Sequence, residues 1–238
     1  MNERQAQLLT AIIEEFIHSA EPVGSKHILA GGNFAVSGAT IRNEMRFLGE
    51  EGFIAQPHTS AGRVPTAKGY RLYVEKHLKP TSHERAVRQK FETLREQYFR
   101  RKDQERVYEA VALLAHMTPN VAFASVPHKH QVYYLGFHNL FRQPEFMQNP
   151  MLAMGVAEAL EEHFDAVLDQ LTIDKKIRYY IGEEHVLPQV QSCSILVTGY
   201  EVRGEKGAIG ILGPMRMDYA FNTAALEMAA GLLQEGGR

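Results

Sequence analysis

The 238-residue sequence predicts an α+β protein, and three observations carry that expectation. Residues 4–50 hold three short apolar stripes at helical spacing, each bounded by Gly, Pro or Ser. Residues 83–117 form a long stretch without Gly or Pro. Beyond residue 120, segments rich in β-branched and aromatic residues alternate with amphipathic helical patterns. The expected organisation is a helical N-terminal domain over residues 1–79, a helical linker over 80–118 and a sheet domain over 119–238.

Each element follows from its residues. In "RQAQLLTAIIEEFIHSA" (4–20), Leu8, Ile12 and Phe16 run beside Leu9, Ile13 and Ile17, giving one broad apolar face. Pro22 and Gly24 end that helix. "GSKHILAGG" offers Ser25 as the N-cap of a short second helix closed by Gly31 and Gly32. In "VSGATIRNEMRFLGEEGF", Ser37 caps a third helix whose Ile41, Met45 and Leu48 form the buried stripe, and Gly52 is its stop. A tight Gly-containing connection before a third helix is a helix-turn-helix pattern. Thr40 and Asn43 then point away from the core and suit base contacts. Arg46 lies on a flank, and Arg42 sits nearer the buried stripe, where a phosphate or an intramolecular contact suits it better.

The stretch "QPHTSAGRVPTAKGYRLYV" (56–74) contains no acidic residue until Glu75. "GFIAQ" before it is a short strand candidate. "GYRLYV" alternates Tyr70, Leu72 and Val74 and is equally compatible with a helix. A helix-turn-helix followed by a hairpin with a basic tip is a winged helix. Such a wing lies on DNA, with Arg63 placed for the minor groove and Thr59 and Ser60 for phosphates. His58 suits hydrogen bonding to DNA or to loop backbone. Arg63, Lys68 and Arg71 stand unopposed within the stretch. Gly62 permits close backbone approach, and Pro57 and Pro65 limit the freedom that docking removes. A basic loop is by itself ordinary solvated surface, so its position behind the third helix gives it weight.

Composition bounds the function classes. The formal charge is −2, with 45% apolar and 23% charged residues, as in an ordinary globular protein. Residues 1–79 hold nine Lys/Arg against eight Asp/Glu, and residues 111–238 nine against fourteen, so positive charge is local. No apolar run approaches the ~18 residues of a membrane span, and the first residues lack a signal-peptide core. Cys193, the one cysteine, excludes an internal disulfide and fits a reducing compartment. A cytoplasmic protein is expected.

"EPVGS", "VSGATIRNEM" and "LGEEGFIAQPHTSAGRVPTAKGYRLYV" resemble, almost residue for residue, the N-terminal DNA-binding domain of HrcA, the family of bacterial heat-inducible transcription repressors. The resemblance covers residues 4–75. "NLFRQPEF" (139–146), "SCSILVTGY" (192–200) and "GAIGILGPMRMDY" (207–219) resemble that family's C-terminal half. Typical members are longer, with a GAF-like domain interrupted by an inserted domain; the resemblance implies a short form without the inserted domain and without part of the GAF-like domain. The resemblance implies a repressor that binds the CIRCE inverted repeat upstream of chaperone operons, with chaperonin supporting its DNA-binding state. An inverted repeat read by two copies of one domain needs a two-fold homodimer. The DNA-binding set is thus Ser37, Thr40, Arg42, Asn43, Arg46, His58, Thr59, Ser60, Arg63, Lys68 and Arg71.

In residues 83–117, Val87, Phe91, Leu94 and Tyr98 follow a coiled-coil-like spacing. "FRRKDQER" interrupts the stripe before Val107, Val111 and Leu114 resume it. Three readings stand: a linker helix packed on its own domain, a dimer seam, or two helices hinged at the charged stretch. Beyond 120, "VAFASV", "VYYLGF", "KIRYYIG", "SILVTGY" and "GAIGILG" predict strands. "PMLAMGVAEALEEHFDAVLDQL" and "DYAFNTAALEMAAGLLQ" predict helices on one face of the sheet, a pared-down GAF-like domain.

No catalytic constellation emerges, and neither a cofactor nor a metal is expected. His128 and His130 in "PHKH" lack accompanying ligands. Glu183, Glu184 and His185 are adjacent, so a strand would point them to opposite faces. Cys193 in an apolar strand predicts a buried thiol. "GAIGILGP" lacks the spacing of a phosphate-binding loop. Beside the repressor, two other classes stay open: a small-molecule-sensing winged-helix regulator, and a winged-helix protein–protein module whose wing meets an acidic partner.

Overall fold

The computed structural model describes residues 1–32, 34–98, 106–126, 131–162, 164–184, 187–202 and 204–235. The chain divides into two compact units, Met1–Leu78 and Lys79–Arg238. Its class is α+β, as expected.

The first unit comprises α1 (Glu3–Ser19), α2 (Ser25–Ala30), α3 (Gly38–Glu50), β1 (Ile54–Ala55), β2 (Val64–Pro65) and α4 (Ala67–Lys76). Asn2 and Gln5 form a reciprocal capping box on α1, which ends at Ala20 in the left-handed region (φ 57°). The expected stripes are buried: Leu8, Leu9, Ile12 and Ile13 from α1, and Ile41, Met45 and Leu48 from α3. Gly24, not Ser25, is the N-cap of α2, and no side chain caps that helix.

"GYRLYV" is helical. Thr66 Oγ1 accepts from the Gly69 N–H (3.2 Å) and donates to the Gly52 carbonyl (2.7 Å), starting α4 against the end of α3. Tyr70, Tyr73 and Val74 are buried at the spacing of one helical face, which outweighs their alternation. A Cβ at residue 69 would lie 2.2 Å from the Phe53 carbonyl oxygen, so only glycine admits this approach.

One acidic group ties α3 to α1. Glu44 is 8% exposed; its carboxylate accepts from Arg4 Nε (3.1 Å) and from Gln5 Nε2 (2.7 Å). The Arg4 hydrogen bond foremost, and then that of Gln5, hold the carboxyl below the usual carboxylate range.

In the second unit, α5 (Glu84–Tyr98) and α6 (Arg106–Met117) precede β3 (Val121–Val126) and β4 (Gln131–Leu135). Then come α7 (Phe137–Phe141), α8 (Pro144–Gln148), α9 (Pro150–Glu162), α10 (Phe164–Gln170), β5 (Arg178–Ile181), β6 (Cys193–Val202), β7 (Glu205–Pro214) and α11 (Tyr219–Glu235). The five strands form an antiparallel sheet in the order β4-β3-β7-β6-β5.

Helices cover both faces of this sheet, where the sequence predicted one. Phe123, Ile195, Val197 and Leu212 pack against Phe146, Val156, Leu160 and Phe164 from α8, α9 and α10. On the other face Ser194 bonds the Tyr219 hydroxyl of α11 (2.7 Å), and the Tyr179 and Thr223 hydroxyls meet at 2.9 Å. The strands are apolar on both sides, so alternation could not reveal the second layer.

Val87 and Phe91 of α5 are buried, at 0% and 3% exposure, where α5 packs on α6 and α11. Tyr98 and the "FRRKDQER" interruption lie wholly or partly outside the described side chains. Two glycines of "GAIGILG", Gly207 and Gly210, face aromatic rings, while Gly213 faces the Asn120 side chain. Phe123 lies across the strand over Gly210, where a Cβ would meet its ring at 2.4 Å. Tyr200 lies over Gly207 and donates its hydroxyl to the Ser125 carbonyl (2.6 Å). Motif residues brace the far end of the sheet. Arg216 reaches Glu145 (2.7 Å) and Gln143 (2.9 Å), while Asn139 donates to the Ala115 and Asn120 carbonyls (both 3.1 Å).

Because the folded Glu44 pKa lies below its unfolded value, its stabilisation is complete above about pH 5. It disappears as pH falls through the lowered folded value. Arg4 is half exposed, so we expect Glu44→Gln to cost about 1–2 kcal/mol at pH 7. Urea denaturation across pH 2–7 checks this: parent and variant curves should converge in acid.

Candidate nucleic-acid interface

The first unit presents two polar surfaces, the exposed side of α3 and the loop joining β1 to β2. Ser37 is the N-cap of α3; its hydroxyl accepts from the Thr40 N–H (3.1 Å) and lies 3.0 Å from the Thr40 hydroxyl. No acidic residue lies in the first turn of α3, leaving its partial positive charge uncancelled. Asn43 is exposed and Thr40 half-buried beside Ser37. Arg42 is exposed, with a guanidinium nitrogen 3.4 Å from where a Cβ on Gly38 would stand, so it lies along the first turn and outside the buried stripe. Arg46 is 72% exposed and sits 3.8 Å from Glu50, a separation of little energetic weight at the surface.

The loop is shaped by hydrogen bonds among its own residues. Gln56 donates its amide to the carbonyls of Thr59 (2.9 Å) and Ala61 (3.0 Å), and the Ala61 N–H bonds the His58 carbonyl (2.8 Å). His58, Thr59 and Ser60 form the exposed tip. β1 and β2 contribute only two residue pairs, Ile54 with Pro65 and Ala55 with Val64. A third attachment lies outside the ribbon: Val23 and Arg63 exchange two backbone hydrogen bonds, each 2.9 Å.

The three basic residues have different surroundings. Arg63 is half-buried, its backbone committed to Val23. Lys68 donates to the Glu51 carbonyl (2.7 Å) and stands 4.6 Å from the centre of the Phe53 ring, so its charge caps the C-terminus of α3. Arg71 is half-buried and has a partner of its own. Val23 and Gln56 were not singled out by sequence. A one-residue strand has no periodicity, and the amide clamp needs the fold to exist; the only signal is the "EPVGS" motif around Val23.

The remaining candidates that lie among the described residues behave structurally. His128, His130 and His185 lie outside the described residues. Glu184 accepts from the Ile181 N–H (2.8 Å), and Glu183 is exposed beside it in a 3₁₀ turn, not on a strand. Cys193 is fully buried, and burial pushes its thiol up to about 12. Among the described residues, no group of three or more His, Cys, Asp or Glu is arranged to hold a metal, and no helix is long and apolar enough to cross a membrane. The second unit has an open cleft of about 480 Å³ between α11 and β5, lined by Lys175, Lys176, Tyr179, Thr223 and Glu227.

A helical head with a looped ribbon, followed by a two-sided antiparallel sheet unit, defines the class of protein. The particular family follows from comparison: residues 72–221 match the model of the HrcA protein C terminal domain, and the chain belongs to the HrcA family. The heat-inducible transcription repressor HrcA of Arthrobacter sp. (strain FB24) is 46% identical over 128 residues, covering 52% of this chain and 36% of that protein. The same-named protein of Brevibacillus brevis is 27% identical over 332 aligned positions, covering 98% of this chain and 97% of that one. That alignment is longer than this chain, so the relative carries sequence with no counterpart here. In the Arthrobacter comparison the match spans little more than a third of the relative's length. A crystal structure described as a hypothetical protein superposes with a TM-score of 0.78 at 19% identity, over 99% of this chain and 97% of that one. That likeness concerns the fold.

Proposed function

We propose that the chain is a sequence-specific transcriptional repressor of heat-shock genes, binding a CIRCE-type inverted repeat as a homodimer. The observation that carries this reading is the match, over 98% of the chain, to a protein named heat-inducible transcription repressor HrcA. The first unit acts as a winged helix: α3 is the recognition helix, and the loop 56–63 is the wing. Asn43, with Thr40 beside it, reads bases in the major groove. Ser37, Arg42 and Arg46 meet phosphates around the start and flank of α3. The tip residues His58, Thr59 and Ser60, with Arg63, touch the DNA backbone or minor groove. Lys68 and Arg71, both engaged within the protein, act by long-range field.

Residues 119–238 form a pared-down GAF-like domain in this reading, with the helices of 80–118 leading into it, and two-fold pairing of the chain matches the repeat's symmetry. Because Val87 and Phe91 are buried in their own unit, they are unavailable as a seam. Chaperonin is the partner that the family resemblance implies, and the role places the protein in the cytoplasm. A small-molecule sensor would use the cleft beside β5. Two of its hydroxyls, those of Tyr179 and Thr223, are already paired with each other, which favours the repressor without effector.

Binding to an inverted-repeat duplex against a scrambled one tests the proposal; equal affinity at every salt concentration would reject it. Asn43→Ala, alone and with Thr40→Ala, should cut discrimination between the two duplexes by about 1–3 kcal/mol for each side chain that reads a base, with non-specific affinity little changed.

Arg63→Ala leaves both backbone bonds to Val23 intact, so the fold should hold. The slope of log affinity against log salt should fall by about 0.9, the share of one phosphate neutralised by the guanidinium. A variant with reduced thermal stability and the parent's salt slope would instead make the side chain a brace.

A further inference from the structure

We propose that the Pro22–Val23 turn and Gly62 are positioning residues for the basic loop, forming a one-residue third strand that aims the tip at DNA. This rests on the reading of the loop as a DNA-contacting wing. It assigns a role to "EPVGS", a motif that the DNA-contact residues do not use.

The ribbon cannot orient its loop alone. Two residue pairs leave a short hinge, and the Gln56 clamp shapes the tip without attaching it to the helices. Attachment comes from Val23, whose N–H donates to the Arg63 carbonyl while its own carbonyl accepts from the Arg63 N–H, both at 2.9 Å. Val23 is 2% exposed, so these bonds are shielded from competing water. They fix the backbone from which the Arg63 side chain departs.

This pairing requires residue 62 to have no side chain. A Cβ there would stand 2.6 Å from both the Pro22 oxygen and the Val23 carbonyl carbon. Those are backbone atoms and cannot swing aside as a flexible side chain would. Pro22 has no N–H to satisfy, and its ring fixes φ, so the turn offers the Val23 groups in a preset direction. At Gly24, two residues along the same motif, an added Cβ meets nothing within 4 Å. A loop held in its docking direction gives up less freedom on binding, and releasing it weakens the binding of residues that are themselves unchanged.

The test uses the full chain with Gly62→Ala, Gly24→Ala as the matched control, and a tip variant with His58, Thr59 and Ser60 all replaced by alanine. Hydrogen exchange reads the bridge, and the salt dependence of duplex binding reads the wing. In Gly62→Ala, the Val23 and Arg63 amides should exchange about tenfold faster or more, as expected when a hydrogen bond is broken. The salt slope should fall by about 0.9 for each phosphate released, with α1 and α3 still protected. Gly24→Ala should match the parent in both measurements. If Gly62→Ala unfolds the helices, Pro22→Gly loosens the same turn at an exposed position and should change both measurements in the same direction.

Unchanged exchange at Val23 and Arg63 in Gly62→Ala would overturn the proposal, as would faster exchange with the parent's affinity and slope. A control that weakens binding as Gly62→Ala does would also overturn it. If the tip variant weakens binding while Gly62→Ala does not, only the positioning role fails. If the tip variant too binds as the parent does, the reading of the loop as a DNA-binding element fails with it.

Discussion

The two backbone hydrogen bonds between Val23 and Arg63 join segments forty residues apart, and they exist because residue 62 carries no side chain. Around them the first unit is assembled on the same pattern, with backbone groups satisfied at very short range. Gly69 lets α4 approach the Phe53 carbonyl, while the Thr66 hydroxyl serves the start of α4 and the end of α3 together. Lys68 then caps α3 through the Glu51 carbonyl. The apolar stripes supply the burial that holds the helices together, but these polar interactions set where the loop departs.

The sheet unit solves a similar problem with rings instead of hydrogen bonds. Gly207 and Gly210 each lie under an aromatic side chain from the neighbouring strand, so glycines that would weaken a strand instead make room for Tyr200 and Phe123. Asn139, Gln143 and Arg216 tie α7 and α8 to the strand ends. The residues that most resemble the family in this half of the chain therefore act as framework, while the proposed function draws its reading surface from the first unit.

Much of this was legible in advance, for identifiable reasons. The helical stripes of α1 and α3 are period-3.6 patterns with caps, and Ser37 and Gly52 stand where caps must stand. The strands after residue 120 are short β-branched runs. What stayed illegible involves pairings distant in sequence. The helix at "GYRLYV" depends on Thr66 meeting the turn after α3, and alternation alone favoured neither state. The second helical layer was hidden because both strand faces are apolar. The division of labour among Arg63, Lys68 and Arg71 could not be read from a stretch where all three look equally unopposed. Likewise Val23 gave no sign of being a strand, since one residue has no period.

In the proposed function, the exposed side of α3 and the loop 56–63 act together as one DNA-contacting surface. Hydrogen exchange on the full chain, free and bound to an inverted-repeat duplex, tests this most directly. New protection should concentrate in residues 37–46 and 57–63 and be absent with a scrambled duplex at the same salt concentration. Protection confined to residues 79–238, with both segments exchanging as in the free protein, would contradict it.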